Sequence, residues 1–176
     1  DLISFRTDII AFSLMPVLYL MGIRNNPVQL LSGVSHHIMI RYHKFVAGIF
    51  FILCVVHSVI WTHYTIHLGG GYAVWAADAY FYWGIVGTLV IGLMIAQSFS
   101  FIRSRMYEAF LFIHNAFAVL FIADMWLHCN TLGWMGWVYS IAAIMVFDRV
   151  CRIVRIFKNG LAQTVNIEVI AHDVIT

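Results

Sequence analysis

The sequence predicts an all-α integral membrane protein. The chain is 62% hydrophobic and only 10% charged, and its mean hydropathy is +0.89, far too apolar for a soluble domain of this length. Its apolar residues also gather into stretches of about twenty, the helix length that crosses a hydrocarbon core about 30 Å thick.

Five such stretches follow one another. The first, Leu2 to Ile23, is the weakest, because Arg6 and Asp8 intrude and Pro16 sits mid-span, although proline is tolerated in membrane helices. Ile38 to Trp61, Tyr80 to Phe101, Ala109 to His128 and Trp134 to Phe157 complete the set. None has the pattern of a cleavable signal peptide, and a chain opening on Asp1 reads as a fragment. Beyond the last stretch, Thr164-Val165-Asn166-Ile167-Glu168-Val169 alternates with period two and predicts a strand, consistent with the first strand of a soluble β-barrel. Residues 1–158 are thus read as the membrane domain and 159–176 as a linker and first strand.

The cations predict an orientation. Nine of the ten lysines and arginines fall in three places: Arg24, Arg41 and Lys44; Arg103 and Arg105; and Arg149, Arg152, Arg155 and Lys158. Those are alternate ends of the spans, hence one side of the membrane, and the positive-inside rule makes that side cytoplasmic. The six tryptophans, Trp61, Trp75, Trp83, Trp126, Trp134 and Trp137, then collect at the outer boundary as an interfacial belt. In this topology the second and fourth spans run the same way.

Those two spans carry histidines at one repeated spacing, His43 with His57 and His114 with His128. Fourteen residues of α-helix rise about 21 Å and turn through about 1400°, roughly 40° short of whole turns, so each pair shares a face with one member in each leaflet. Parallel helices bring His43 level with His114, the inner pair, and His57 level with His128, the outer pair. Imidazole suits iron, and a haem held by two axial histidines keeps no open position, which favours electron transfer. The sequence therefore predicts two stacked haem b groups, with all four histidines as iron ligands. An ionisable side chain inside a span is costly and marks a functional candidate; the plainer reading is four unrelated interior histidines bonded to neighbouring helices. Seven residues past each inner ligand lie Phe50 and Phe121, placed to fill the space between the haems or simply to pack.

Several short motifs carry a resemblance. Arg24-Asn25-Asn26-Pro27, Leu31-Ser32-Gly33-Val34-Ser35 and Tyr42-His43-Lys44 lead to His57; Tyr107-Glu108-Ala109-Phe110 precedes His114; Trp126-Leu127-His128 and Phe147-Asp148-Arg149 follow. Together they resemble the fungal ferric/cupric reductases of the ferric reductase and NADPH oxidase superfamily, over nearly the whole chain. The resemblance implies a six-helix bis-haem bundle, of which this chain holds five helices. It also implies a dehydrogenase region after the last helix that binds FAD and NADP(H), with residues 159–176 its truncated beginning. Electrons would run from cytosolic NADPH through flavin and two haems to an acceptor outside, most readily ferric or cupric chelates. The membrane would be the plasma membrane or that of an organelle.

On the acceptor side, His63 and His67 are four apart just beyond the second span and share a face if the helix continues. Asp124, one turn before His128, is an acid within the outer halves of the ligand helices, placed at the outer haem edge, to attract a cationic acceptor, or simply as a hydrogen-bonded interfacial acid. Gly48 lies between the ligands of the second span, where a porphyrin or another helix can come close. Arg41, Lys44 and Arg103 are placed for haem propionates, Arg149 and Arg152 for flavin phosphates, and Asp148 beside Arg149 for a local ion pair tying the last helix to the dehydrogenase. Cys54, Cys129 and Cys151 lie at different depths, which predicts no disulfide.

A nucleotide-binding glycine loop, a hydrolase carboxylate pair and a basic nucleic-acid patch are missing from the sequence. Two other functions fit the same pattern. A superoxide-generating NADPH oxidase needs the same ladder and differs in access to the outer haem. A helical transporter or channel with proton-relay histidines needs no porphyrin, and spans without paired breaks give it little support.

Overall fold

The computed structural model describes residues 2–160, 169–171 and 174–175. Eight helices run in order: α1 Leu2–Gly22, α2 Pro27–Ser32, α3 His36–His67, α4 Tyr72–Ala76, α5 Ala79–Gln97, α6 Ser100–Arg105, α7 Tyr107–Cys129 and α8 Met135–Asn159. Four of them, α1, α3, α5 and α7, are long and apolar enough to cross a membrane. With its family assignment below, the chain is a multi-pass membrane protein.

The fifth expected span exists as helix α8 but falls outside that set. Its first half, Met135 to Phe147, is apolar, whereas Asp148, Arg149, Arg152, Arg155 and Lys158 crowd the second. Thirteen residues of apolar helix reach about 20 Å, short of a full hydrocarbon core. The strand expected over Thr164 to Val169 lies outside the described residues except for Val169. That residue opens β1, Val169–Ala171, paired antiparallel with β2, Val174–Ile175.

Local chemistry sets the helix ends. Pro16 lies inside α1 without ending it. Asn26, 1% exposed, finishes α1 and starts α2: its Nδ2 donates to the Leu20 carbonyl at 2.8 Å, and its Oδ1 accepts from the Val28 N–H at 2.8 Å. Pro27 fills the first position of α2, and Gly33 closes it at φ 68°, a left-handed turn that suits glycine. The stretch expected to run to Phe101 breaks at Ser98 and Phe99 and restarts as α6. α3 continues six residues beyond Trp61, to His67, giving a helix of about 48 Å.

α1 packs antiparallel along α3, and α5 along α7; α8 braces α1 and α7, and α5 touches α3. The helices that carry the spaced histidines, α3 and α7, run the same way, as expected. They face each other across a cleft, because each leans on its antiparallel neighbour instead. The buried core, including Phe12, Met15, Phe50, Val90, Ile91, Phe121, Val138 and Ile141, surrounds that cleft.

Candidate functional site

The cleft between α3 and α7 holds two cavities stacked along the helix axes. The one toward the basic end, about 250 Å3, is lined by His43 and His114. The one toward the tryptophan end, about 350 Å3, is lined by His57 and His128. Phe50, Phe121 and Ile91 line both and so form the partition. The two phenylalanine rings meet edge to face, centroids 6.1 Å apart at 89°.

The histidines pair level for level. The His43 and His114 ring centres stand 6.3 Å apart. Imidazoles on opposite sides of one metal, each at a bond of about 2 Å, put their ring centres roughly 6 Å apart. Each ring is also oriented. His43 Nδ1 lies 3.0 Å from the Leu18 carbonyl, His128 Nδ1 2.6 Å from the Tyr80 carbonyl, and His57 Nδ1 3.2 Å from the Ser4 carbonyl. A carbonyl only accepts, so Nδ1 carries the proton in all three and Nε2 keeps its lone pair, the arrangement of a metal-ligating histidine. His114 Nδ1 is buried without a partner.

Two glycines make room for these contacts. A Cβ on Gly22 would come within 3.2 Å of His43 Cε1, and one on Gly84 within 2.8 Å of His128 Cε1. Each glycine follows its carbonyl by four residues, Leu18 then Gly22 and Tyr80 then Gly84, so the imidazole lies across one bare helical turn. At His57 the same place is taken by Asp8, four residues after Ser4, with its Oδ1 4.0 Å from Nδ1. The Ser4 hydroxyl donates to the His57 carbonyl at 3.5 Å and lies 3.2 Å from its Nδ1.

The cavities differ in charge. Asp8 is the charged residue lining the tryptophan-end cavity and Lys44 that of the basic-end cavity. Sequence reasoning treated Asp8 as an intrusion and missed Ser4, Gly22 and Gly84. A usable signal was present: Asp8 to Gly22 and Gly84 to Ser98 repeat the fourteen-residue spacing of the histidines.

Other expected residues fall elsewhere. His63 and His67 lie on α3 as an exposed pair, ring centres 4.5 Å apart, and neither lines a cavity. Asp124 is 1% exposed and lines neither cavity. It faces α5, where a Cβ on Gly87 would collide with its Oδ2, and both its oxygens are buried without a partner. Asp124 is thus placed against α5 rather than at a cavity wall or an exposed surface. A Cβ on Gly48 would meet nothing within 4 Å, so no neighbouring helix requires that glycine.

Asp148 does not pair locally alone. Its Oδ1 accepts from the Asn25 N–H at 3.1 Å and Nδ2 at 2.9 Å, its Oδ2 from Arg152 Nε at 2.9 Å, and Arg149 lies 3.7 Å away. Arg155 donates to Asn25 Oδ1, and Arg149 to Asn115 Oδ1 at 3.0 Å. Burial pushes the Asp148 carboxyl up, but the Asn25 donors and the two guanidiniums outweigh it and hold it below the usual carboxylate range. Asp148 thus latches α8 to Asn25, in the connection between α1 and α2. Cys54, Cys129 and Cys151 are free.

Residues 7–125, which contain His43, His57 and His114, match the family described as the ferric reductase like transmembrane component. The chain belongs to this family. Similar proteins include Ferric reductase transmembrane component 3 of Saccharomyces cerevisiae, 31% identical over 98% of this chain and 24% of the relative. Ferric/cupric reductase transmembrane component 1 of Candida albicans is 32% identical over 95% of this chain and 22% of the relative. Ferric reductase transmembrane component 1 of Schizosaccharomyces pombe is 29% identical over 89% of this chain and 27% of the relative. The chain spans about a quarter of the length of these curated relatives. No solved structure matches it significantly.

Proposed function

We propose that this chain is the membrane part of a ferric or cupric chelate reductase, carrying electrons from cytosolic NADPH and FAD to a metal chelate outside. The observation that carries the reading is the pair of stacked cavities, each flanked by a level pair of histidines with Nε2 free. His43 and His114 would hold the inner haem b, His57 and His128 the outer. Haem supplies one-electron redox chemistry when bound.

The chain's own residues do the placing. The Leu18, Tyr80 and Ser4 carbonyls fix three imidazoles in the tautomer that presents Nε2. Lys44 is set for a propionate of the inner group, while Arg41 is bonded to His37 at 3.2 Å. Arg152 and Arg149 are engaged with Asp148 and Asn115, which argues against their serving flavin phosphates. Phe50 and Phe121 keep water and lipid out of the space between the two groups. Asp8, beside His57, strengthens the electron donation of the outer ligand. The Asp148–Asn25 and Arg149–Asn115 contacts bring α8 back to the basic end, so that its charged second half faces the side of a dehydrogenase.

The printed names of the relatives favour a metal chelate over oxygen as acceptor. His63 and His67 stand where a transition-metal ion can be held by two imidazoles. A proton relay is disfavoured because the Nδ1 atoms of His43, His57 and His128 end on backbone carbonyls instead of on one another.

The deciding experiment is purification of this chain in detergent after expression with haem available, followed by pyridine haemochrome quantitation and oxidised and reduced spectra. Two low-spin b haems per chain are expected, with His43→Ala and His114→Ala removing the same one. A folded preparation without haem would overturn the reading.

A further inference from the structure

The two antiparallel helix pairs obey one register, and it leaves a position to be filled. On α1 and α3, stepping fourteen residues along both helices takes the Ser4 and His57 contact to the Leu18 and His43 contact. On α5 and α7 the same step takes the Tyr80 and His128 contact to Met94 and His114. The fourth seat is therefore the Met94 carbonyl with the residue four places on, Ser98. Both Met94 and Ser98 line the basic-end cavity together with His114. Here the carbonyl is not bare: Ser98 Oγ donates to it at 2.6 Å. His114, across the cavity, is the one histidine of the four whose Nδ1 is buried and unpartnered.

We infer that Ser98 is the positioning residue of His114. The structure leaves His114 Nδ1 without a partner; with the ring held through Nε2, the hydroxyl that donates to Met94 would offer its oxygen to the Nδ1–H, so that the serine relays to the fourth ring the hold that a bare carbonyl gives to the other three. A hydroxyl has one proton to donate and lone pairs to accept, so it can do both at once. Gln97 is also buried with unsatisfied amide atoms, but it does not line the cavity, whose α5 wall is Ile91, Met94, Ile95 and Ser98, one helical face.

The inference rests on the reading of His114 as a haem ligand, and the test separates the two. Wild-type chain, Ser98→Ala, Ser98→Gly and Ser98→Thr are purified with haem, and haem content, low-spin electron paramagnetic resonance signals and midpoint potentials are recorded. Removing an outer-shell partner of a metal-bound histidine costs 10–100-fold in affinity. Ser98→Ala is therefore expected to weaken retention of one haem, the one that His114→Ala also removes, by about tenfold. Its midpoint rises by up to about 59 mV, the one-electron value reached when the whole tenfold loss falls on the ferric state. Ser98→Thr keeps the hydroxyl and retains the wild-type signal. Ser98→Gly bares the Met94 carbonyl as at Gly22 and Gly84, and is expected to recover most of what alanine loses. A packing or capping role would not rank glycine above alanine, because Ser98 caps α5 in a right-handed conformation, φ −80°, where glycine has no steric advantage. Equal haem content, signals and potentials in all four proteins, or glycine no better than alanine, would overturn the inference while leaving the haem reading intact. Wild-type protein without haem would remove both.

Discussion

Gly84 shows how one missing methyl can decide where an imidazole sits. In an exposed helix, glycine to alanine stabilises by about 1 kcal/mol. Here the added carbon would sit 2.8 Å from His128 Cε1, and the ring cannot retreat without losing the Tyr80 carbonyl that orients it. Overpacking of this kind costs about 1–3 kcal/mol, so Gly84→Ala is expected to lower the thermal midpoint and to reduce content of the tryptophan-end haem. Gly22 faces His43 at 3.2 Å, a contact relieved by a shift of a few tenths of an ångström, so Gly22→Ala is expected to be nearly neutral. The ranking is checked by thermal unfolding and haemochrome assay side by side. Phe121 poses a different question. It is 3% exposed in the partition between the cavities, and truncating a buried phenylalanine costs about 3–5 kcal/mol. Phe121→Leu keeps most of that packing. If it leaves haem content unchanged but slows electron transfer between the two sites, measured by flash photolysis, the ring does more than fill space; an unchanged rate reduces it to packing.

At the scale of elements, the overrun of α3 and the anchoring of α8 each carry a consequence. Because α3 continues to His67, His63 and His67 lie one turn apart and exposed, as a two-imidazole site requires. A change of both to glutamine is expected to raise KM for ferric or cupric chelate several-fold in membranes holding the full-length reductase, with haem spectra untouched. An unchanged KM would place metal reception elsewhere. The α8 latch is electrostatic and therefore pH-dependent. The Asp148 carboxyl is held lower in the folded chain than in the unfolded one, where it lies near about 3.9. Its stabilisation is accordingly full above that value and lost as pH falls through the native one. Asp148→Asn keeps the shape but gives up charge-assisted bonds from Asn25 and Arg152, worth about 1.5–3 kcal/mol each. The loss of stability in the variant is expected to be largest near neutral pH and to shrink as pH falls below the ordinary carboxylate range and through the lowered native value, read by unfolding followed at several pH values. The same latch shows where sequence reasoning stops. The charges of α8 were legible, but Asp148 finds Asn25 across 123 residues of chain, and nothing in either local pattern names the other.

For the whole molecule, the legible part was whatever a helix repeats along itself. The fourteen-residue histidine spacing, the alternation of basic and tryptophan-rich ends and the apolar lengths all follow from one helix period, so the parallel run of α3 and α7 and their matched levels could be read in advance. The carbonyl seats could not, because a backbone acceptor has no residue type to announce it. Asp8, Gly22, Gly84 and Ser98 were visible as small or polar residues, yet they acquire a role only from the antiparallel partner each helix takes. The fifth expected span, α8, was read from its apolar first half, and the charges of its second keep it out of the set of helices long and apolar enough to cross a membrane. What the bundle itself does not contain is a direction relative to the cell, and there the distribution of charge makes the prediction. Three groups of cations mark one end and the tryptophans the other, and cytoplasmic retention of basic loops orients the whole bundle. Ser104 is exposed in α6 at the basic end, and Asn130 is exposed just after α7 at the other. In a Cys151→Ser background, which removes the half-buried thiol at the basic end, Asn130→Cys is expected to react with a membrane-impermeant maleimide on intact cells. Ser104→Cys is expected to react only after permeabilisation. The opposite pattern would invert the bundle and put His57 and His128 on the side where electrons enter.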